Sequence, residues 1–445
     1  MRFIADFHIH SKYSRAVSRE MVLEELDRKA HDKGILVMGT GDFTHPAWFK
    51  ELKEKLEPAE PGLFQLKKGL KRGTLRGGMP ETRFMLTVEI SSIYTKDGKG
   101  RRVHNLVFAP DLETVEKINT QLSWVGNLAS DGRPILGLDS RELVKIVLDS
   151  NPRAVVVPAH AWTPWFSVFG SMSGFDSIEE CFGDYAKHIF AIETGLSSDP
   201  LMNWRLSKLD NIAFISNSDS HSLERIGREA NIFDAELSYD GIINAIKNGC
   251  ANPQLTTNDS QQRFVATVEF FPEEGKYHFD GHRACGVVME PKETLEKKGM
   301  CPKCGRRVTV GVLNRVEKLA DRSAIVPEQV GSLRKYANRI PFHSLMQLDE
   351  IIAKSFAMGT AAKKVRTEYE TMIKTFGPEL EILLNSKSEE LVRSRVDERI
   401  IRGIEAVRQG KVVFDPPGYD GEYGVMKFAG IELSPKPSVA QASLF

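Results

Sequence analysis

The chain has 445 residues, and its 60 Lys or Arg balance 60 Asp or Glu, so it carries no net charge. That length suits two or three domains, and the balance excludes a partner chosen by overall charge, leaving local patches to do that work. No run of roughly 18 apolar residues and no apolar leader core follow Met1, so the expectation is a cytoplasmic protein that spans no membrane; five cysteines are too few for a disulfide scaffold.

In chain order, "RFIADF" reads as a buried strand. Ser18 is a candidate N-cap for a helix with Val22, Leu23, Leu26 and Ala30 on one face and Gly34 at its end. "ILVMGTGD" is the next strand, which makes a βαβ unit with a parallel pair. Further strand-like runs are "RFMLTVEI", "RVHNLVFA", "AVVVPAHA", "IFAIET" and "IAFISNSDSH", with helical stretches such as "SRELVKIVLDS" between some of them. The alternation predicts an α/β barrel over residues 1–255. "LFQLKKGLKRGTLRGGMP" interrupts it and is read as an inserted basic loop containing Lys71 and Arg72. Residues 256–325 are turn-rich and bear cysteines, 326–430 are predicted helical, and 431–445 form a tail.

"DFHIH" sets the chemistry. Residues two apart on a strand share a face, so His8 and His10, with Asp6, point one way. The pattern recurs as Asp219 and His221 in "SDSH", beside Glu89 in "TVEI", His104 in "VHNL", His160 in "VPAHAW", and Asp42 and His45 in "GTGDFTHP". Nearly all fall at strand ends, where a barrel gathers its site. Imidazole and carboxylate together suit zinc, manganese or iron. A pair of such cations activates water and stabilises both oxygens of a phosphate ester being displaced. Glu193, ending "IFAIET", either supports this site or forms a rim ion pair.

A second cluster joins His282-x2-Cys285 to Cys301-x2-Cys304 across fifteen residues. Two such knuckles are the signature of a structural zinc. His282 is favoured as the fourth ligand because its spacing mirrors the cysteine pair, with His278 the alternative. From Arg283 to Arg339 there are thirteen basic and six acidic residues, a local charge of +7. This reads as a phosphate-contacting surface, with Arg306, Arg307, Lys71 and Arg72 as the chosen contacts. Cys181 and Cys250 are taken as ordinary buried thiols. Trp162, Trp165 and Phe166, in "HAWTPWFSVFG", either stack on a ligand or belong to the core.

The series HxH, Gly-Asp, Glu, His, His and DxH resembles the polymerase-and-histidinol-phosphatase (PHP) family. The resemblance implies a distorted (βα)7 barrel with two or three divalent metals (Zn, Mn or Mg). His8, His10, Glu89 and Asp219 would hold one; Glu89, His104 and His160 a second; His221 a third. Asp42 is counted as a further metal ligand, although Phe43 follows it where the family has histidine. Asp219, Glu89 and His221 are the expected catalytic residues. The last five residues, "QASLF", resemble peptides that bind DNA sliding clamps, through Gln441, Leu444 and Phe445. The barrel, the His/Cys3 zinc module, the helical region, "PPGYDGEYG" and this tail together resemble the endonuclease Q family. That resemblance implies a DNA-repair nuclease cutting 5′ of deoxyuridine, deoxyinosine, deoxyxanthosine and abasic sites, with damaged duplex DNA and a sliding clamp as partners. It would work at the nucleoid. The rival readings are a PHP phosphomonoesterase of a small metabolite, which has no use for the zinc module, and a non-catalytic DNA-binding scaffold, which has no use for a full ligand set.

Overall fold

The structure, a computed structural model, describes residues 1–71, 80–249 and 262–430. Arg72, Cys250, the expected boundary at 255, and the tail with Gln441, Leu444 and Phe445 lie outside the described residues. Strand Arg2–Asp6 runs parallel to Val37–Gly39, connected by helix Leu23–Lys33. Gly34 ends that helix in the left-handed region at φ 84°, with its N–H on Ala30 O. The N-cap is Val22 rather than Ser18; Ser18 Oγ instead accepts the N–H of Glu20 in the preceding turn.

The barrel mixes directions. Arg83–Lys96 continues the parallel set, but Lys99–Ala109 returns antiparallel to it through Asp97–Gly98, both at positive φ. An Asp-Gly pair favours this tight reversal, and no crossover helix fits in two residues. Val155–Pro158 pairs antiparallel to Lys99–Ala109, while Ala191–Glu193 and Ala213–Ile215 pair parallel to each other. The ring closes through single links. The N–H of Ala161 donates to Glu193 O, and the Asn231 side chain both donates to and accepts from the Ser216 backbone. Strand Ala230–Asp234 then lies antiparallel to Arg2–Asp6.

Alternation fills the interior. Phe3, Ala5 and Phe7 join Met85, Phe108, Val157, Ile215 and Phe233 in one buried cluster, which helix Tyr239–Asn248 completes with Ile242 and Ile246. Burying each large side chain contributes about 1.5–3 kcal/mol. The alternate residues Met38, Leu86, Val88, Val107, Val156 and Ile192 face the outer core.

The sheet extends past 255. Strand Arg263–Glu269 pairs antiparallel with Ala230–Asp234, and Phe342–Ser344 and hairpin Glu328–Val330/Leu333–Lys335 add to its edge. The expected modules at 256–325 and 326–430 therefore both begin with strands of the barrel sheet. The small module is docked by Arg315, whose buried guanidinium donates to the carbonyls of Phe169 and Phe175. Five helices follow, from Leu348–Ser355 to Glu398–Arg408. They are tied to the first barrel helix by a buried ion pair, Lys33 Nζ to Glu379 Oε2 at 2.6 Å, which Tyr369 OH also reaches at 2.8 Å.

Glu229 and Glu269 are fully buried between these layers. Burial raises the Glu269 carboxyl from 4.5 to about 8, against hydrogen bonds from Thr267 and Thr194 that lower it. The folded state thus binds a proton that the unfolded chain loses near pH 4.5. Stability from this group is complete below that pH and is lost as pH rises toward 8. We expect the melting temperature to fall between pH 5 and 8, and Glu269→Gln to flatten that fall; a parallel fall in the variant would contradict the assignment.

Candidate metal centre

Beyond Asp6 the chain pairs with a second rim segment. The N–H of His10 donates to Ser220 O at 3.0 Å, and the N–H of Ser220 to His8 O at 3.3 Å. This sets the HxH beside Asp219. Donor atoms of His8, His10, Glu89 and Asp219 lie within 4.8 Å of one another, as do those of Glu89, His104 and His160. Glu89 belongs to both groups. Its Oε1 is 2.7 Å from His104 Nδ1 and 2.9 Å from His160 Nε2, while its Oε2 is 3.4 Å from His10 Nε2 and 3.6 Å from His8 Nε2.

The donors fit divalent cations. His8 Nε2 is buried and has no hydrogen-bond partner, yet stands 3.6 Å from both Glu89 Oε2 and Asp219 Oδ1. A buried polar atom left so is rare and costly, and a cation among these oxygens would satisfy it. Charge tells the same story. Burial works against a charged imidazole, but hydrogen bonds to Asp219, Asp42 and Glu89 hold His10 up to about 10. The same oxygens that favour a positive charge on His10 would favour a cation.

The surrounding residues aim the ligands. Glu193 takes His8 Nδ1 at 3.0 Å, the backbone N–H of His160 at 2.7 Å and Asn217 Nδ2 at 2.9 Å, so it supports the site. Asp42 joins neither donor group: its Oδ1 meets His10 Nδ1 at 3.1 Å, and its Oδ2 accepts from Ser11 N, Ser11 Oγ and Ser14 Oγ. Asp6 is also structural, accepting the N–H groups of Ser218 and Gly227, and His45 stacks on Tyr13 at 4.4 Å. His221 joins neither donor group; its Nδ1–H donates to Asp219 O at 2.9 Å, and its ring lies 4.7 Å from that of His10.

Strain collects here. Asp42, His160, Phe166 and Asp219 all adopt positive φ, a costly conformation tolerated where a site demands it. Gly195 is required beside His160, since a Cβ there would fall 2.6 Å from His160 Cβ. Glu193→Gln would offer its amide N–H to His8 Nδ1 and push the imidazole proton onto the metal-facing nitrogen. We expect metal affinity, by calorimetric titration, to drop roughly 10–100-fold; unchanged affinity would remove Glu193 from the support.

A cleft of about 870 Å³ opens on the centre. Arg102, Arg133, Arg225, Arg228 and Lys276 line it, with Trp165, Phe166, Tyr277 and Tyr423. Trp162 is core, its Nε1 donating to Asn203. Sequence reading missed Arg133, whose Nη1 lies 3.1 Å from Glu89 Oε2, and Ser91, whose Oγ meets His104 Nε2 at 3.1 Å.

The second cluster also assembles. The donor atoms of His282, Cys285, Cys301 and Cys304 lie within 4.8 Å of one another. Gly286 and Gly305, at φ 60° and 69°, turn the chain after each knuckle. His282 is the fourth donor; His278 is buried and gives its Nδ1–H to Ser197 O. Arg306 and Arg307 are exposed at the module tip. Lys71 is 15% exposed and pairs with Glu81 at 2.6 Å.

The barrel and its carboxylate-bridged donor groups define a PHP-type hydrolase. The PHP-associated family model matches residues 203–250, and the MJ0043 C-terminal domain matches 347–411. Two solved structures are similar over nearly the full chain. One is the lesion-specific endonuclease PfuEndoQ of Pyrococcus furiosus, 30% identical, TM-score 0.79, covering 96% of both chains. The other is endonuclease Q bound to a 27-mer duplex with an abasic lesion at the active site, 30% identical, TM-score 0.80, covering 97% of both chains. The uncharacterized protein MJ0043 of Methanocaldococcus jannaschii is 32% identical over 271 residues, 60% of this chain, and the match spans 31% of that relative's length. The chain belongs to the endonuclease Q family. Among the described residues no helix is long and apolar enough to cross a membrane.

Proposed function

We propose that this chain is a DNA-repair endonuclease that hydrolyses the phosphodiester 5′ to deaminated bases (deoxyuridine, deoxyinosine, deoxyxanthosine) and abasic sites, leaving a 3′ hydroxyl and a 5′ phosphate. The observation that carries it is the Glu89 carboxylate shared by two donor groups, whose members His104, His160 and Asp219 line a cationic, aromatic cleft. Kinship with a nuclease bound to an abasic duplex supports the substrate class. His8, His10, Glu89 and Asp219 would hold one divalent cation, and Glu89, His104 and His160 another, with zinc, manganese or magnesium as candidates. When bound, such cations supply Lewis-acid stabilisation at the scissile phosphate.

The protein's own groups do the rest. Arg133, Arg102 and Arg228 neutralise phosphate oxygens along the cleft wall. His221, its Nδ1–H fixed on the Asp219 carbonyl, presents Nε2 to the cleft to accept or return a proton, or to take a third metal. Trp165, Phe166, Tyr277 and Tyr423 offer faces for a nucleotide drawn out of the duplex, which costs least at a mispaired or baseless position. The His282/Cys3 cluster is assigned a structural zinc, with Arg306 and Arg307 on the DNA backbone. The Gln441–Phe445 peptide is assigned to a sliding clamp, and a DNA substrate places the protein at the nucleoid.

End-labelled duplexes with one deoxyuridine, deoxyinosine or abasic site, beside an undamaged duplex, test this with Mg²⁺ or Mn²⁺ and with chelator. A metal-dependent nick just 5′ of the lesion is expected. Intact strands from protein with metals bound would sink the proposal.

A further inference from the structure

Helix Leu112–Ser123 delivers a large apolar side chain to water: Trp124, the next residue, is 79% exposed. Val125 and Ile135 are exposed too. They are the apolar residues of one lip, brought near each other at Gly126. Gly126 abuts the Leu136 side chain, and strand Ile135–Leu136 is hydrogen-bonded beside Ser91 and Ser92. Ile135, Ser91 and Arg133 line the cleft over the metal centre. Arg15, 77% exposed, flanks the same loop through Asp131. Folding gives no reason to leave an indole in solvent two residues before Gly126, which abuts the neighbour of the cleft-lining Ile135.

We propose that this lip is a wedge, and that the Trp124 indole enters the base stack of double-stranded DNA to fill the gap left when the target nucleotide moves into the cleft. The inference rests on the DNA reading above. Drawing a nucleotide out removes stacking from both neighbouring pairs, a cost of a few kcal/mol. An aromatic face put in its place restores part of that stacking, since base–aromatic stacking is favourable for every base. Duplex DNA is the occupant favoured over a second protein. The apolar lip has three side chains, far short of the roughly 800 Å² per partner of a stable protein interface. It meets the cleft through Ile135, and Arg15 on the same loop, with Arg102 and Arg133 in the cleft, suits phosphate.

The test compares one lesion in a fully paired duplex and in a single strand. Trp124→Ala should slow nicking of the duplex about 5–100-fold, the worth of one base–aromatic stack, and leave the single strand within about twofold. Trp124→Phe should keep most duplex activity, and the salt dependence of binding should not change, since no charge is lost. Equal slowing on both substrates, or none on either, overturns the wedge while leaving the endonuclease reading intact. Concentration-dependent self-association of the wild type, lost in Trp124→Ala, would overturn it in favour of a second copy. Failure of the wild type to nick any lesion would overturn both readings.

Discussion

Glu89→Gln is expected to abolish nicking, by roughly a thousandfold or more, which is about 4 kcal/mol of transition-state stabilisation. The reason is position. Glu89 has no solvent exposure at its side chain and is the one residue common to both donor groups. Its Oε1 faces His104 and His160, and its Oε2 faces His8, His10 and Arg133. Glutamine keeps the shape and removes the charge that two cations would share. It also strips Arg133 of the carboxylate that fixes it at 3.1 Å, so the guanidinium is no longer held over the phosphate path. Bound metal, counted by mass spectrometry, should fall together with activity, while the melting temperature of metal-stripped protein separates a site effect from unfolding. A variant that keeps its metals and half its activity would show that the two groups do not act through a bridge.

Cys301→Ser should release one zinc equivalent and unfold the small module without melting the barrel. Arg315, Val312 and Val316 anchor its helix to the barrel, but around the knuckles the buried cluster is only Val287, Met289, Cys301 and Val308. A core of that size does not stabilise a fold without a metal or another cross-link. The damage should reach the cleft. The loop carrying Tyr419 and Tyr423 is docked on the module by Asp420, which accepts from Arg283 N at 2.7 Å and from Thr309 Oγ1 at 2.6 Å. Tyr423 lines the cleft, and Tyr277 next to the module does too. We therefore expect weakened lesion binding and new proteolytic cuts between about residues 283 and 310, with barrel metals retained. Normal binding after zinc loss would make the module dispensable.

Both donor clusters were legible in the sequence because their signals are local: the HxH puts two histidines on one side of the rim, and the two knuckles have fixed spacing. What was not legible lies across the fold. Asp42 has the composition and place of a ligand, and only the fold shows it bonded to His10 and the serines beside the donor groups. The Lys71 partner, Glu81, lies beyond the basic run. Arg133 sits in a turn with no pattern to distinguish it from any surface arginine. Strand Arg263–Glu269 buries Phe264 in the interior cluster and, past a register shift, Ala266 and Val268 in the outer core, and its turn-rich surroundings hid its pairing with the barrel. The Asp97–Gly98 reversal was readable as a turn, but not the antiparallel step it imposes on a βα alternation.

The most direct measurement is diffraction from crystals soaked in Mn²⁺, recorded at the manganese edge. Two anomalous peaks are predicted, one on each side of the Glu89 carboxylate, within reach of His8, His10 and Asp219 on one side and of His104 and His160 on the other. A single peak away from Glu89, or manganese bound at Asp42 with His8 Nε2 still unligated, would contradict the bridged centre on which this account rests.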